Sequence, residues 1–118
     1  LAGRRVLVVE DESLVALLLE DAVLEAGGEV VGPAATLREA MNLADRADRL
    51  DAATLDLNLA GLNSAPVARL LAARRVPYVV VSGHVGEGQN ALRGAAGVLV
   101  KPFSLAALIA ALAAAVRS

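Results

Sequence analysis

Short, near-continuous apolar runs recur along the chain at 6–9, 52–55, 79–81 and 98–100, with a weaker one at 30–31. They are mostly β-branched and show no polar alternation, which predicts strands buried on both faces. Between them, residues 13–26, 36–47, 64–73 and 105–116 place apolar side chains at helical spacing, and 87–95 does so poorly. Thr36 with Glu39 fits a capping box, Ser104 stands where the last helix needs an N-cap, and Gly27-Gly28 stops the first helix. Five strand–helix units predict an α/β fold: a parallel sheet covered by helices on both faces. Gly83, Gly86, Gly88, Gly94 and Gly97 crowd the fourth helix. Interior glycine disfavours helix by roughly 0.5–1 kcal/mol relative to alanine, so that helix is expected to be short or mobile.

Composition narrows the class. The 118 residues suit one domain, 1–118, able to bury its own core, and without cysteine neither a disulfide nor a thiolate site is possible. The net charge of −2, from 13 acidic and 11 basic residues, leaves no footprint for direct nucleic-acid or membrane-surface binding. No apolar run reaches the ~18 residues of a membrane span. LAGRRVLVVEDE brackets a short apolar run with charge, unlike a signal peptide. A cytoplasmic domain is expected. Lys101 is the one lysine among the 11 basic residues, the others being arginine, so a compact point charge stands where a planar fork was the norm.

The chemistry lies at the strand ends. The first strand ends in Glu10-Asp11-Glu12, the third in Asp56, the fourth in Ser82 and the fifth in Lys101. An open parallel sheet binds ligands outside the carboxyl ends of its strands, where the strand order reverses. With order 2-1-3-4-5 that crevice lies between Asp11 and Asp56, with Ser82 and Lys101 across it. Carboxylates at close quarters repel unless a cation compensates them, and oxygen ligands of this kind suit Mg²⁺. A carboxylate is also a competent nucleophile toward a phosphoryl donor, and phosphoryl transfer asks mainly for positioning and charge neutralisation. Taken singly, each feature has a plainer account. Acids favour a helix N-terminus, Asp56 and Ser82-Gly83 suit turns, and Lys101-Pro102 suits a surface turn. Their convergence on one crevice favours the chemistry. His84 reads as a solvated loop histidine that can also line the mouth of the site, and Tyr78 and Phe103 read as packing residues.

At these residues the sequence resembles the receiver domain of two-component response regulators, over nearly the whole chain. VLVVEDE at 6–12 is similar to the family's acidic-pair strand, LDLNL at 55–59 to its phosphoacceptor strand, VVVSG at 79–83 to its switch-hydroxyl strand and VKPF at 100–103 to its Lys-Pro turn. The resemblance implies a flavodoxin-like (βα)5 three-layer sandwich. It implies Asp56 as phosphoacceptor, and Mg²⁺ (or Mn²⁺) held by Asp11, Asp56 and the Asn58 carbonyl, with Glu10 acting through water. Ser82 and Lys101 would contact the phosphoryl oxygens, and the Lys101–Pro102 bond would be cis. The sequence does not reach phosphoryl lifetime; Asn58 and His84 are the places to look for its control. The implied partner is a histidine kinase or a histidine phosphotransfer protein, and the implied role is a non-enzymatic signalling switch. Val98 departs from the family, which usually has an aromatic residue three before the lysine. PYVVVSGH at 77–84 resembles the PFxFATGY motif of the FAT GUY receiver subfamily, which implies signalling through ordering of residues 83–97.

A pseudo-receiver, acting as an interaction module without phosphorylation, is the main alternative. A phosphatase with a DxD nucleophile is disfavoured because Asp56-Leu57-Asn58 lacks the second acid. A nucleotide-binding module is disfavoured because neither GxGxxG nor GxxxxGK[ST] follows the first strand. Residues 105–116 are apolar nearly all round, so a homodimer or partner interface is expected at the fourth and fifth helices. A stand-alone regulator and a receiver from a larger protein both remain open readings.

Overall fold

A computed structural model describes residues 1–83 and 93–117. In chain order the elements are β1 (Arg5–Val9), α1 (Ser13–Glu25), β2 (Glu29–Ala34), α2 (Leu37–Arg46), β3 (Ala52–Asp56), β4 (Asn58–Leu59), β5 (Leu62–Asn63), α3 (Ala65–Ala73), β6 (Tyr78–Ser82), β7 (Gly97–Val100) and α4 (Leu105–Arg117). The strands of the main sheet run in the order β2-β1-β3-β6-β7, and every pairing is parallel. This is the expected 2-1-3-4-5 order, so the chain has a flavodoxin-like α/β fold. The helix expected at 87–95, and His84, fall mainly or wholly outside the described residues. The two-stranded β4–β5 hairpin is an addition that hydrophobic patterning did not predict.

Strand parity sorts the core into two layers. Leu7, Val9, Ala53, Leu55, Tyr78 and Val80 face α2 and α3, whose Ala40, Ala44, Val67, Ala68 and Leu71 pack onto them. Val6, Val8, Ala52 and Val79 face α1 and α4, meeting Leu19, Ala22, Val23, Leu108, Leu112 and Ala115. Successive side chains of a strand point to opposite faces, so a run apolar at every position can be buried only between two helical layers. Tyr78 is a packing residue, as expected, and Phe103 packs against the α1–α4 layer.

Local signals explain most element ends. Gly27, at φ +87°, ends α1 with its own N–H bonded to the Leu24 carbonyl and the Gly28 N–H bonded to that of Val23, a Schellman motif. Arg75, at φ +59°, ends α3 in the same way, with the Val76 N–H reaching the Leu71 carbonyl. The Thr36 hydroxyl caps α2 by accepting from the Glu39 N–H at 3.1 Å, but the Glu39 carboxylate accepts from that hydroxyl rather than from the Thr36 N–H, so the capping box closes differently from the usual form. Ser104 caps α4 through the Ala107 N–H at 3.0 Å. The Arg74 guanidinium, invisible to pattern reading, donates to the Ala44 and Ala47 carbonyls and so fastens the end of α2 to α3. In β2, the pairing with β1 slips by one residue at Gly32, whose φ of +96° and whose closeness to the Ala34 nitrogen and Val8 carbonyl leave no room for a Cβ.

The helices differ in how they present themselves. The described positions of α4 bury Leu108, Leu112 and Ala115 and turn Ala106, Ala110 and Ala114 outward. By contrast α1 buries Ala16, Leu19, Ala22 and Val23 and also exposes Leu14, Leu17, Leu18 and Leu24. Among the described helices the exposed leucines therefore lie on α1, while the exposed apolar positions of α4 are alanines. Among the described residues, no helix is long and apolar enough to cross a membrane.

Thr54 sits in the centre of β3, fully buried, and its hydroxyl has no hydrogen-bond partner among the described residues. A buried unpaired hydroxyl costs its desolvation without return, so Thr54→Val is expected to stabilise the fold by about 1 kcal/mol. Urea unfolding should show a higher midpoint at an unchanged slope. A lower midpoint would mean that the hydroxyl is satisfied.

Candidate functional site

The site forms because β1 and β3 are neighbours and end level with one another, Val9 opposite Leu55. The chain leaves β1 at Glu10, passes Asp11 and enters α1 after Glu12, while Asp56 closes β3. Glu10, Asp11 and Asp56 each offer a carboxylate oxygen, and these atoms all lie within 4.8 Å of one another. Glu10 and Asp56 are buried, and Asp11 is partly exposed at the rim. Ser82 ends β6 beside Asp56, buried, and its carbonyl accepts from the Lys101 N–H at 2.8 Å, which ties the end of β7 to that of β6. The Lys101–Pro102 peptide is cis, as the resemblance implied.

The Lys101 ammonium is the local counter-charge. Its Nζ lies 3.5 Å from Glu10 Oε1, 3.6 Å from Glu12 Oε1 and 3.7 Å from Asp56 Oδ2. Glu12 was read only as one of a run of acids. Its N–H donates to Glu10 Oε2 at 3.2 Å, and its exposed side chain gives Lys101 a third acidic neighbour at the rim. Burial tends to lower the pKa of Lys101, and Asp56, Glu10 and Glu12 outweigh it, leaving the pKa raised.

One lysine does not neutralise three carboxylates. Burial, reinforced by a hydrogen bond shared with Asp56, pushes Glu10 up to about 8. Burial likewise raises Asp56, against the bonds it accepts and the pull of Lys101. Asp11 moves the other way: burial tends to raise it, but hydrogen bonds, foremost the one from the Ala60 N–H at 3.0 Å, hold it below the ordinary range. Burial thus favours the protonated form of Glu10 when no cation is present. Among the described residues no hydrogen bond reaches the buried Glu10 Oε1, although Lys101 Nζ lies 3.5 Å away. That under-satisfied oxygen and the three converging carboxylates fit a hard, oxygen-seeking divalent cation.

The β4–β5 hairpin closes the site's edge. Its turn places Ala60 at φ +50° and Gly61 at φ +89°, and the Ala60 N–H reaches from the tip to Asp11. At its start the Asn58 N–H donates to Asp56 Oδ1 at 3.1 Å, and the Asn58 side-chain oxygen accepts from the Gly61 N–H at 2.8 Å. The Asn58 amide is thus engaged in the turn. Val98, where the family usually has an aromatic residue, lies on edge strand β7 and is half exposed.

Comparison with known proteins agrees with this geometry. Residues 6–113 match the family described as the response regulator receiver domain. Over 113 residues the chain is 34% identical to the transcriptional regulatory protein PdtaR of Mycobacterium tuberculosis, covering 92% of this chain and 55% of that protein. It therefore spans about half the length of that relative. It is 27% identical to the chemotaxis protein CheY of Thermotoga maritima, covering 93% of this chain and 95% of that one. The receiver domain of sensor histidine kinase PA1611 from Pseudomonas aeruginosa, solved with a magnesium ion coordinated in its active-site cleft, superposes with a TM-score of 0.85 at 29% identity, over 99% of this chain and 100% of that one. The chain belongs to the response regulator receiver family of two-component signalling, and its acidic pocket is compatible with Mg²⁺ and aspartyl phosphorylation.

The electrostatics set a pH dependence. A carboxyl raised on folding adds stability that is complete below its ordinary value of 4.5 and is lost as the pH rises through about 8. Without divalent cations the melting temperature is expected to fall across that window, and Glu10→Gln to flatten the fall. Mg²⁺ should offset it increasingly with pH, because it binds the deprotonated cluster. A metal-free melting temperature that stays flat across the window would contradict the shared-proton arrangement.

Proposed function

We propose that residues 1–118 form a single receiver domain that acts as a phosphorylation-dependent switch, accepting a phosphoryl group on Asp56 from a histidine kinase or histidine phosphotransfer protein. The observation that carries this reading is the placing of three carboxylates and Lys101 Nζ around one point at the sheet's carboxyl edge, with Nζ 3.7 Å from Asp56 Oδ2. Mg²⁺ or Mn²⁺ would be held by Asp11, Asp56 and the Asn58 carbonyl, with Glu10 acting through water, and would neutralise carboxylate and phosphoryl oxygens.

The chain's own groups do the rest. An Asp56 carboxylate oxygen attacks phosphorus in line with the donor imidazole; the new P–O bond forms as the P–N bond breaks, and the imidazole leaves with the electron pair. Lys101, already beside Asp56, moves its positive charge onto a phosphoryl oxygen as the carboxylate charge is consumed. The Ser82 hydroxyl, at the end of the adjacent strand, is the second contact. No acid–base residue of this chain is needed to activate the nucleophile, since a carboxylate is reactive once ionised. Asn58 and His84 are the proposed modulators of phosphoryl lifetime.

The partner class is supported by the surface beside the site. A groove of about 410 Å³ is lined by Val15, Leu18, Pro102, Phe103 and Leu105 and ends at Lys101. The exposed Leu14 and Leu17 lie on the same helix. A phosphodonor protein burying this apolar surface would come up against the rim of the Asp56 site.

Intact mass after incubation with acetyl phosphate and Mg²⁺ tests the reading. A gain of one phosphoryl mass is expected in wild type and neither in Asp56→Asn nor without Mg²⁺. Lys101→Ala should still bind Mg²⁺ but accumulate far less product. If wild type takes up neither phosphoryl nor beryllofluoride, the chain is a pseudo-receiver and the switch reading fails.

A further inference from the structure

Ser64 occupies the N-cap of α3 but makes no side-chain bond to the helix it caps. A serine in that place ordinarily accepts a hydrogen bond from the second or third N–H of its helix. Here the hydroxyl donates instead to the main-chain carbonyl of Asp56 at 2.6 Å, from a fully buried position. The Ala65 N–H is satisfied separately, by the Asn63 side-chain oxygen at 2.7 Å. The Ser64 N–H donates to the Leu57 carbonyl at 2.9 Å, and its own carbonyl accepts from the Val67 N–H at 2.9 Å. One residue thus binds Asp56, the residue after it, and the first turn of α3.

The segment closed by this contact contains Asn58 and the hairpin whose tip holds Asp11 through the Ala60 N–H. The loop is pinned at its tip to one acid of the cluster and at its base to the backbone of another. Asp56 ends its strand, so beyond it the sheet's ladder no longer fixes the backbone, and a buried hydroxyl takes over that task. We infer that Ser64 is a positioning residue: its hydroxyl sets the backbone of Asp56 and the loop through Asn58, and so tunes the cluster's affinity for a divalent cation and the reactivity of Asp56. This rests on the proposed role of Asp56 and its neighbours as cation and phosphoryl site.

The test compares wild type, Ser64→Ala and Ser64→Thr by Mg²⁺ titration, read calorimetrically and from backbone amide shifts. Urea midpoints without metal serve as the measure of folding. Groups that orient a metal's ligands from behind typically change affinity by 10–100-fold, and Ser64→Ala is expected to weaken Mg²⁺ binding about tenfold. Ser64→Thr, which keeps the hydroxyl, should return most of that affinity even if the added methyl lowers the urea midpoint. If Ser64→Ala does not fold, Ser64→Cys, close in shape with a weaker donor, carries the same comparison with wild type and Ser64→Thr. Equal Mg²⁺ affinity in wild type and the hydroxyl-less variant overturns the inference and leaves the switch reading standing. Equal weakening in Ser64→Ala and Ser64→Thr also overturns it, because the effect would then be packing. A wild type that binds no Mg²⁺ removes the underlying reading, and the inference with it.

Discussion

Three carboxylates held at the carboxyl edge of one sheet, with a single ammonium among them, are the constraint around which the other features of the site are arranged. Acids whose oxygens lie within 4.8 Å of each other repel, and burial of two of them magnifies the repulsion by removing water. The chain answers with Lys101, a raised pKa at Glu10 and backbone donors from Glu12, Asn58 and Ala60. None of these fully offsets the charge. The site is therefore biased toward taking up positive charge.

The body of the domain makes this tolerable. Two apolar layers, one under α2 and α3 and the other under α1 and α4, hold β1 and β3 in register, so the acids cannot relax apart. Burial of the strands' apolar side chains supplies the favourable free energy against which the charged edge is set. The least regular parts, the bulge at Gly32 and the hairpin turn at Ala60–Gly61, lie where a purely regular sheet would not lead the chain along the required path. The hairpin in particular converts the loop after Asp56 into a brace between Asp11 and Asp56.

The same edge meets the outside through two different surfaces. Lys101 is shared between the acidic cluster and the apolar groove beside α1: its ammonium lies 3.7 Å from Asp56 Oδ2, and the residue also lines the groove. Ser64 joins the Asp56 backbone to the start of α3, so this part of the site is attached to a helix.

Much of this was legible in the sequence. Runs apolar at every position can be accommodated only by strands covered on both faces, which fixes the α/β class. The residues that end those strands, Glu10, Asp11, Asp56, Ser82 and Lys101, follow directly once the strand order is assumed. Short-range signals such as Gly27-Gly28, Thr36 and Ser104 also read correctly, because they act within a turn of chain. Tertiary structure alone decided which leucines of the leucine-rich α1 are core and which are surface, since Leu19 and Leu18 are identical in chemistry and differ only in what lies opposite them. It alone revealed the β4–β5 turn, where Ala60 adopts a positive φ that no composition signal announces. The raised pKa of Glu10, the Arg74 clasp and the Ser64 contact with Asp56 likewise arise where segments distant in sequence meet. Residue types and periodicity prescribe what each segment can bury, but the partner of a buried polar group is set by the packing of the whole chain.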